Sequence, residues 1–484
     1  MANLDKSRPN IVFVMTDDQG YWALGANGNQ DIITPNLDQL AADGARFENF
    51  FCASPVCSPA RASLLTGRIP SQHGVHDWIR KGNTGDEAIE YLKGMRGYTE
   101  DLKDAGYKLA LSGKWHLGDS INPQKGFSMW YTHQRGGGNY YNAPMIKNGQ
   151  LIEEKGYVTD AITDNAIEFM DQLVQTDDPF YLAVHYTAPH SPWTNHNHPD
   201  ELVKLYDGCE FHSCPVRELH PWAIFSTAPD ALTRENAMNP KESLAGYYAA
   251  VTGVDRGVGR IMEHLKEAGI YENTLVIFTA DNGFNCGHHG IWGKGNGTFP
   301  ANMYDTSIRV PFIAWHPDRI PGGMTVDHMV SAYDFMPTIL EYLKLDVPKR
   351  PELPGKSFSK LLTGQGGSVD KDDSIVIFDE YGPVRMIRTY TDKLVYRYPY
   401  GMDEYYDLVS DPDEEHNRIG EDRCAARILE LKNRLETWFE RYVNPDLDGR
   451  LERVTGNGQL DRAGKYSKHY SSYEPLGYTS HVDV

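Results

Sequence analysis

The chain has few cysteines, little positive charge and no long apolar run, and each shortage excludes a class of protein. Its 484 residues include only six cysteines, too few for a scaffold held together by disulfides. Lys and Arg total 47 against 67 Asp and Glu, so the formal net charge is −20, whereas a nucleic-acid-binding protein is expected to be basic. No apolar run approaches the ~20 residues that span a bilayer. These properties predict a globular protein without nucleic-acid or membrane partners.

Two properties of the chain stay open at this stage. Residues 1–10 are polar and a predicted strand follows at once, which indicates no signal peptide and a cytoplasmic protein. The alternative is a periplasmic or secreted protein from which a leader was trimmed. Cys209 and Cys214 are near enough in sequence to form a disulfide, although nothing requires one. No second cysteine pair follows them, so they do not form a zinc pattern.

Short apolar runs alternate with helical patterns over the first three quarters of the chain. Buried strands are predicted at 11–15, 108–112, 180–185, 275–280 and 310–315. Helices are predicted at 35–44, 97–106, 159–173 and 243–268. This alternation predicts the α/β class, with a large, mostly parallel sheet flanked by helices on both faces.

The pattern changes after about residue 365. Closely spaced strands are predicted at 375–378, 384–389 and 393–398, and an amphipathic helix at 427–442 is expected to cover them. The polar tail beyond residue 444 is expected to wrap over the surface. We therefore predict two domains, a catalytic α/β domain over 1–365 and a smaller C-terminal domain of antiparallel sheet plus helix over 366–484.

Carboxylates follow two of the predicted strands, at the sheet edge where parallel strands bind ligands. Asp17 and Asp18 come after the first strand, and Asp281 and Asn282 come after the strand at 275–280. Adjacent carboxylates repel one another, and a set of oxygen ligands suits Ca²⁺ or Mg²⁺ rather than zinc. For Asp281 and Asn282 alone, an ordinary turn is the alternative. Together with the first pair, they favour a metal site.

Cationic and imidazole side chains follow the strands in the same way. Lys114 and His116 lie on one short segment, His190 lies in a His-x-Pro sequence, and Lys294 lies between two glycines. Each alone is typical of an ordinary solvated polar residue. With Arg61 they supply the cations that an anionic group needs.

Residues 55–68 read Pro-Val-Cys-Ser-Pro-Ala-Arg-Ala-Ser-Leu-Leu-Thr-Gly-Arg and predict a helix start. Ser58 is expected to cap that helix, with Pro59 in its first turn. A side chain at this point faces unpaired N–H groups, which suit an anion. The alternative is a buried cysteine at a loop-to-helix junction. The stretch resembles the signature of the sulfatase family, Cys-x-Pro-x-Arg followed by Leu-x-Thr-Gly-Arg.

The resemblance covers essentially the whole chain and implies the fold of the alkaline-phosphatase-like superfamily. Beyond residues 55–68, the similar segments are 9–18, 34–38, 113–116, 190–192, 281–283, 307–311 and 404–412. Asp305 stands where a glutamate is more usual in that family. By resemblance, Cys57 is oxidised to formylglycine by a maturation enzyme, and the hydrated aldehyde is the nucleophile.

The resemblance also implies roles for the polar residues. The ligands of one divalent cation, usually Ca²⁺ in the family, are Asp17, Asp18, Asp281, Asn282 and oxidised Cys57. Arg61 and Lys114 steady the hydrated aldehyde, and His116 assists the release of sulfate. His190 protonates the leaving alcohol, and Lys294 holds a sulfate oxygen.

The sequence therefore predicts a sulfatase that hydrolyses a sulfate monoester to an alcohol and inorganic sulfate. Alternatives are a phosphonate monoester or phosphodiester hydrolase with the same site, and a non-catalytic glycan-binding relative. The many Tyr and Trp suit stacking on sugar rings, which favours a sulfated carbohydrate as substrate. Residues 195–240 are predicted to be a polar excursion over the surface. Candidates for lining the substrate cleft are His196, His198, His212 and His220 within that excursion, and Arg80, Lys81 and Arg135 outside it. For each, an ordinary exposed polar residue is the alternative.

Overall fold

The computed structural model describes residues 8–225, 233–366, 377–399, 401–468 and 472–473. Its centre is a ten-stranded sheet in the order β12-β2-β11-β8-β1-β7-β3-β4-β5-β6, beside a small antiparallel pair, β9 and β10. The strands are β1 Asn10–Thr16, β2 Ala45–Phe51, β3 Lys108–Gly113, β4 Met129–His133, β5 Ala143–Lys147, β6 Gln150–Glu154, β7 Phe180–His185, β8 Thr274–Ala280, β9 Asn285–Cys286, β10 Trp292–Gly293, β11 Arg309–Trp315 and β12 Met324–Ser331.

The middle of the sheet is parallel, as predicted. Strands β8, β1, β7, β3 and β4 run in one direction, and β12 is parallel to β2. The predicted strand at 310–315 is present as β11, but it is antiparallel to both of its neighbours. A hairpin of β5 and β6 extends the other edge. The sheet is therefore mixed but mostly parallel.

Helices cover both faces of this sheet. The helices are α1 Pro35–Asp43, α2 Cys57–Thr66, α3 Pro70–His73, α4 Tyr98–Asp104, α5 Val158–Leu173, α6 Asp200–Val203, α7 Arg234–Met238, α8 Lys241–Glu267, α9 Asp305–Ile308, α10 Phe335–Tyr342, α11 Ser359–Leu362 and α12 Ala425–Tyr442. Along β1, Val12 and Val14 pack into the core shared with α1, α5 and α8. Ile11 and Phe13 pack into the core shared with α2, α4 and α10. Successive side chains of a strand point to opposite faces, so an unbroken apolar strand supplies two cores.

The C-terminal part forms a four-stranded antiparallel sheet. Its strands are β13 Ile377–Tyr381, β14 Val384–Arg388, β15 Asp392–Arg397 and β16 Glu404–Asp407. Leu431, Leu435 and Phe439 of α12 are buried against it, as the amphipathic pattern predicts. Residues 375 and 376 of the first predicted strand lie outside the described residues. The division into two domains at residue 365 stays a prediction.

Two local expectations need correction, and one open alternative is decided. Helix α2 begins at Cys57 with Val56 as its N-cap, so Ser58 lies inside the first turn and its Oγ instead accepts the Ile79 N–H at 3.0 Å. The segment 195–240 is only partly a surface excursion, because Phe211 is buried and packs edge-on against Tyr248 of α8. The cysteines at 209 and 214 are free thiols.

No helix within the described ranges combines the length and apolar character needed to cross a bilayer.

Candidate active site

The polar residues predicted to form the site meet at one edge of the sheet, because the parallel strands β1, β3, β7 and β8 all end there. Backbone hydrogen bonds fix the ends side by side. The Lys114 N–H donates to the His185 carbonyl at 2.7 Å, and the Asp281 N–H donates to the Thr16 carbonyl at 3.0 Å. The Asp17 N–H donates to the carbonyl of Ala188 at 3.1 Å. Residues far apart in sequence are thus placed by strand register.

Three carboxylates form the floor of the site. One oxygen from each of Asp17, Asp18 and Asp281 lies within 4.8 Å of the others, and all three side chains are buried. Asp18 adopts a left-handed backbone conformation with φ of 64°, and its N–H donates to Asp281 Oδ1 at 3.2 Å. Asn282 Nδ2 donates to Asp18 Oδ1 at 2.8 Å.

This cluster has the chemistry of a site for a hard divalent cation. Among the described residues, Asp17 Oδ1 and Asn282 Oδ1 are buried oxygens without a protein hydrogen-bond partner. Burial, followed by the charge of Asp17, raises the pKa of Asp281 to about 7. Crowded oxygens of this kind suit a cation that takes oxygen ligands. The residues present therefore fit a metal ion.

Each carboxylate also has its own buried cation. Lys114 forms an ion pair with Asp17, Arg61 Nε lies 2.9 Å from Asp281 Oδ2, and Lys294 Nζ lies 2.5 Å from Asp18 Oδ1. Burial alone would raise the pKa of Asp17, but the charge of Lys114 holds it well below its usual range. The cluster therefore combines fixed positive charge with acidic oxygens, as an anion-handling site requires.

Cys57 lies at the first position of α2, beside these charges. Its side chain is buried, and Lys294 Nζ lies 2.6 Å from Sγ. Sγ also lies within 4.8 Å of ligand atoms of Asp17 and His190. Burial, followed by the charge of Asp17, raises the pKa of the thiol to about 12. An unmodified Cys57 is thus protonated and poorly nucleophilic at neutral pH.

The two predicted histidines are held in defined orientations. His190 Nδ1 lies 2.8 Å from the Ser191 carbonyl, and its Nε2 lies 3.8 Å from Asp18 Oδ2. His116 Nε2 lies 3.0 Å from the Ile79 carbonyl. Because a carbonyl can only accept, Nδ1 of His190 and Nε2 of His116 carry the protons. Burial lowers the pKa of both rings, and at His190 the charges of Asp17 and Asp18 oppose that shift. Nδ1 of His116 is left as an acceptor, whereas Nε2 of His190, which faces Asp18 Oδ2, carries a proton when the ring is charged.

A glycine segment that the sequence reasoning missed covers both histidines. A Cβ on Gly136 would lie 2.3 Å from His116 Cε1, and a Cβ on Gly137 would lie 3.2 Å from His190 Nδ1. At Gly136 a side chain would collide with the imidazole ring, so only glycine allows this approach. Three consecutive glycines at 136–138 were the available sequence signal.

The candidate cleft residues divide into two groups. Arg80 and Lys81 directly follow Ile79, and Arg135 directly precedes Gly136, so all three are next in sequence to residues that lie against His116. Their part in a substrate cleft stays a prediction. The four candidate histidines differ in their surroundings. His198 is buried, with Nδ1 3.2 Å from the Tyr157 hydroxyl and Nε2 3.1 Å from the Pro192 carbonyl.

The other three histidines of the excursion also differ in their surroundings. His196 is exposed beside Thr194. His212 is exposed and pairs with Asp31 at 3.3 Å. His220 packs edge-on against Trp222. Long loops place neighbouring sequence positions in unrelated environments, so a part of any of these four histidines in a substrate cleft stays a prediction.

Comparisons with known proteins agree with this geometry. The model of the sulfatase family matches residues 9–345, and the model for the C-terminal part of N-sulphoglucosamine sulphohydrolase matches residues 287–441. The chain is 29% identical to the N-acetylglucosamine-6-O-sulfatase of Bacteroides thetaiotaomicron, over 92% of this chain and 88% of that protein. It is 30% identical to an uncharacterised sulfatase of Escherichia coli, over 90% of this chain and 88% of that protein.

A solved structure shows the same architecture. It is described as a complex with its substrate D-glucosamine-2-N,6-O-disulfate, and it has a TM-score of 0.76 and 27% sequence identity, covering 91% of this chain and 99% of that one. A family model spanning residues 9–345 and relatives aligned over nearly the whole chain lead to one conclusion: this chain belongs to the sulfatase family and hydrolyses sulfate esters.

Proposed function

We propose that the chain removes sulfate from a sulfated carbohydrate, using formylglycine formed from Cys57 and one divalent cation, Ca²⁺. The observation that carries the proposal is the position of Lys294 Nζ, which lies 2.6 Å from Cys57 Sγ and 2.5 Å from Asp18 Oδ1. A buried ammonium group at that point binds an anion beside the nucleophile position. The names of the relatives, which act on sulfated amino sugars, support an amino-sugar sulfate as the first substrate to test.

The residues that would hold the cation are Asp17, Asp18, Asp281, Asn282 and oxidised Cys57. When bound, the aldehyde hydrate supplies an oxygen nucleophile and the cation neutralises negative charge on the sulfate. Mg²⁺ is the less favoured ion, because it keeps several waters and demands a near-ideal octahedron. Three carboxylates and one amide supply several of the oxygen ligands that Ca²⁺, the larger ion, takes from a protein.

The cations of the chain orient the site and bind the sulfate. Lys114 holds Asp17, and Arg61 Nη1 donates to the Lys114 carbonyl at 3.2 Å while its Nε holds Asp281. These contacts fix the relative positions of two carboxylates and of helix α2, on which Arg61 and Cys57 lie. Lys294 is the cation assigned to a sulfate oxygen.

The two histidines carry protons at different stages. His190 Nδ1 is engaged by the Ser191 carbonyl, so Nε2 is the atom that delivers a proton to the leaving alcohol. His116 Nε2 is engaged by the Ile79 carbonyl, so Nδ1 is the atom that accepts a proton as sulfate is released. His116 Nδ1 is buried and has no protein partner within the described part of the chain, so it is available for that role.

Formation of the nucleophile requires a separate maturation enzyme. Cys57 is 2% exposed and α2 is entirely buried, so another protein cannot reach Sγ in the folded chain. We therefore propose that a formylglycine-generating enzyme acts on residues 55–68 before they fold.

The test is a panel of sulfated mono- and disaccharides, with nitrophenyl sulfate and an aryl phosphonate beside them, assayed with enzyme whose Cys57 conversion is measured by peptide mass spectrometry. We expect sulfate release from at least one amino-sugar sulfate and none from Cys57→Ala. Faster turnover of the phosphonate would favour the phosphonate hydrolase, and no turnover by converted enzyme would favour a glycan-binding protein. Full activity with only unmodified cysteine at 57 would refute the nucleophile.

A further inference from the structure

We infer that Gln459, near the C-terminal end of the described chain, is a positioning residue for His116. The link runs through the loop of residues 74–80, here called the 74–80 loop. Its Ile79 carbonyl is the partner of His116 Nε2 at 3.0 Å, and its Ile79 N–H donates to Ser58 Oγ, next to Cys57, at 3.0 Å. The inference rests on the proposed role of His116 in sulfate release.

The 74–80 loop has no helix or strand of its own beyond one bridge, which pairs Ile79 with Gln459 in parallel. The Gln459 N–H donates to the Trp78 carbonyl at 2.7 Å, and the Arg80 N–H donates to the Gln459 carbonyl at 2.9 Å. These two bonds flank Ile79 on both sides. The direction of the Ile79 carbonyl is therefore set by the backbone of Gln459.

The side chain of Gln459 holds the earlier part of the same loop. Oε1 accepts the His76 N–H at 2.8 Å, and Nε2 donates to the Gly74 carbonyl at 2.9 Å. Nε2 also donates to the carbonyl of Asp461 at 2.8 Å. The residue is 0% exposed, so every polar atom of Gln459 is used in a place without water, where lost hydrogen bonds are costly.

The residues before Gln459 strengthen this attachment. The Gly458 N–H donates to Asp77 Oδ2 at 3.0 Å, and Trp78 Nε1 donates to the Gly456 carbonyl at 2.9 Å. Residues 456–461, here called the C-terminal clasp, thus hold the 74–80 loop at several points. Asn296 Nδ2 also donates to Gly456 at 3.4 Å, which connects the clasp to the loop that carries Lys294.

The substitution Gln459→Glu tests this arrangement most directly. It keeps the size of the side chain and one acceptor oxygen, but the second oxygen cannot donate to the carbonyls of Gly74 and Asp461. The loop then shifts and takes the Ile79 carbonyl with it. A displacement near 1 Å at a catalytic group costs up to ~10²-fold in rate.

The measurement separates the two halves of the reaction. Alcohol and sulfate are quantified separately in rapid-quench experiments, with the best substrate of the panel and rates expressed per converted Cys57. We expect Gln459→Glu to release sulfate ~10²-fold more slowly and to slow formation of the first equivalent of alcohol by a much smaller factor, because the same loop also contacts Ser58. A merely structural role would slow both steps together or neither.

Three further variants keep the inference falsifiable. Gln459→Met removes the polar atoms without adding charge. Trp78→Phe removes the bond to Gly456 and part of the ring packing, but it leaves every hydrogen bond of Gln459 in place, so it is the milder change. Both are expected to slow sulfate release selectively, Trp78→Phe by the smaller factor. Leu435→Ala, in the buried face of α12, controls for lost stability and should lower the melting temperature without separating the two steps.

Equal slowing of both steps, or no slowing, in a folded Gln459 or Trp78 variant would overturn the inference and leave the proposed function intact. A converted wild-type enzyme that releases no sulfate would overturn the proposed function itself.

Discussion

Replacing His190 with alanine should slow hydrolysis of a sugar sulfate far more than hydrolysis of nitrophenyl sulfate. Nδ1 of His190 is engaged by the Ser191 carbonyl at 2.8 Å, so Nε2 is the nitrogen free to transfer a proton. A sugar alkoxide is a poor leaving group and needs that proton, whereas a nitrophenolate is stable as an anion. A positioned general acid contributes ~10²–10⁴-fold, which corresponds to about 3–5 kcal/mol of barrier. We expect that loss on the sugar sulfate and a loss below about tenfold on nitrophenyl sulfate.

Lys294 provides the matched control for this comparison. Its Nζ contacts Asp18 Oδ1 at 2.5 Å, and His190 Nε2 faces Oδ2 of the same carboxylate at 3.8 Å. Both variants therefore disturb the same neighbourhood. Lys294→Met removes a charge that faces the sulfate itself, so it should slow both substrates by similar factors.

The assay is single-turnover release of the alcohol, because slow release of sulfate would hide a change in bond cleavage. Equal damage to both substrates in His190→Ala would show that His190 binds the sulfate rather than protonating the leaving group. His116 would then become the candidate for the acid.

Three further predictions concern metal, stability and pH. Asp281→Ala should abolish tight binding of one Ca²⁺ together with activity, since the remaining oxygens cannot complete a shell of ~6–8 ligands; a bound ion in metal analysis of the variant would contradict this. Asp305→Asn should cost about 3–5 kcal/mol in unfolding free energy, because it leaves buried Arg388 without its carboxylate and removes one of the two carboxylates that pair with Lys393, the other being Glu414. The exposed Asp346→Asn is the control, and an unchanged urea midpoint for Asp305→Asn would refute the prediction. Burial lowers the pKa of His198 in the folded chain to about 4, whereas a histidine in the unfolded chain titrates near ~6.5. Between these two pH values the unfolded chain binds a proton at His198 and the folded chain does not. The free energy of unfolding should therefore fall by about 2 kcal/mol between pH 7 and pH 5 because of this residue. Urea unfolding of His198→Gln at the two pH values should show a decrease that is smaller by that amount.

Asp305, which stands where a glutamate is more usual in the family, links the main sheet to the C-terminal sheet. Its carboxylate accepts hydrogen bonds from Arg388 at 2.8 Å and from Lys393 at 2.5 Å, both in the C-terminal sheet. The residue therefore joins α9, beside the main sheet, to β14 and β15. The sequence alone shows that Asp305 lies just before segment 307–311, which resembles the sulfatase family, but it does not predict which residues form ion pairs with Asp305.

The sequence alone determined which residues meet at the site. A short apolar run with polar flanks, such as 11–15, is typical of a strand buried on both faces, and ligands bind where parallel strands end, at one edge of the sheet. These two rules brought Asp17 and Lys114 together with Asp281 before any coordinates were known. The motif at 55–68 added Cys57 and Arg61 by resemblance to the sulfatase family.

Only the tertiary structure decided the contacts that local patterns do not encode. The antiparallel direction of β11 depends on how the chain crosses between distant strands, and the burial of His198 depends on Tyr157 and Pro192 closing over it. Gln459 reaches the 74–80 loop from nearly 400 positions away. Hydrogen bonds across such separations leave no periodicity in the sequence, because each is fixed by the folded path of the whole chain rather than by neighbouring residues.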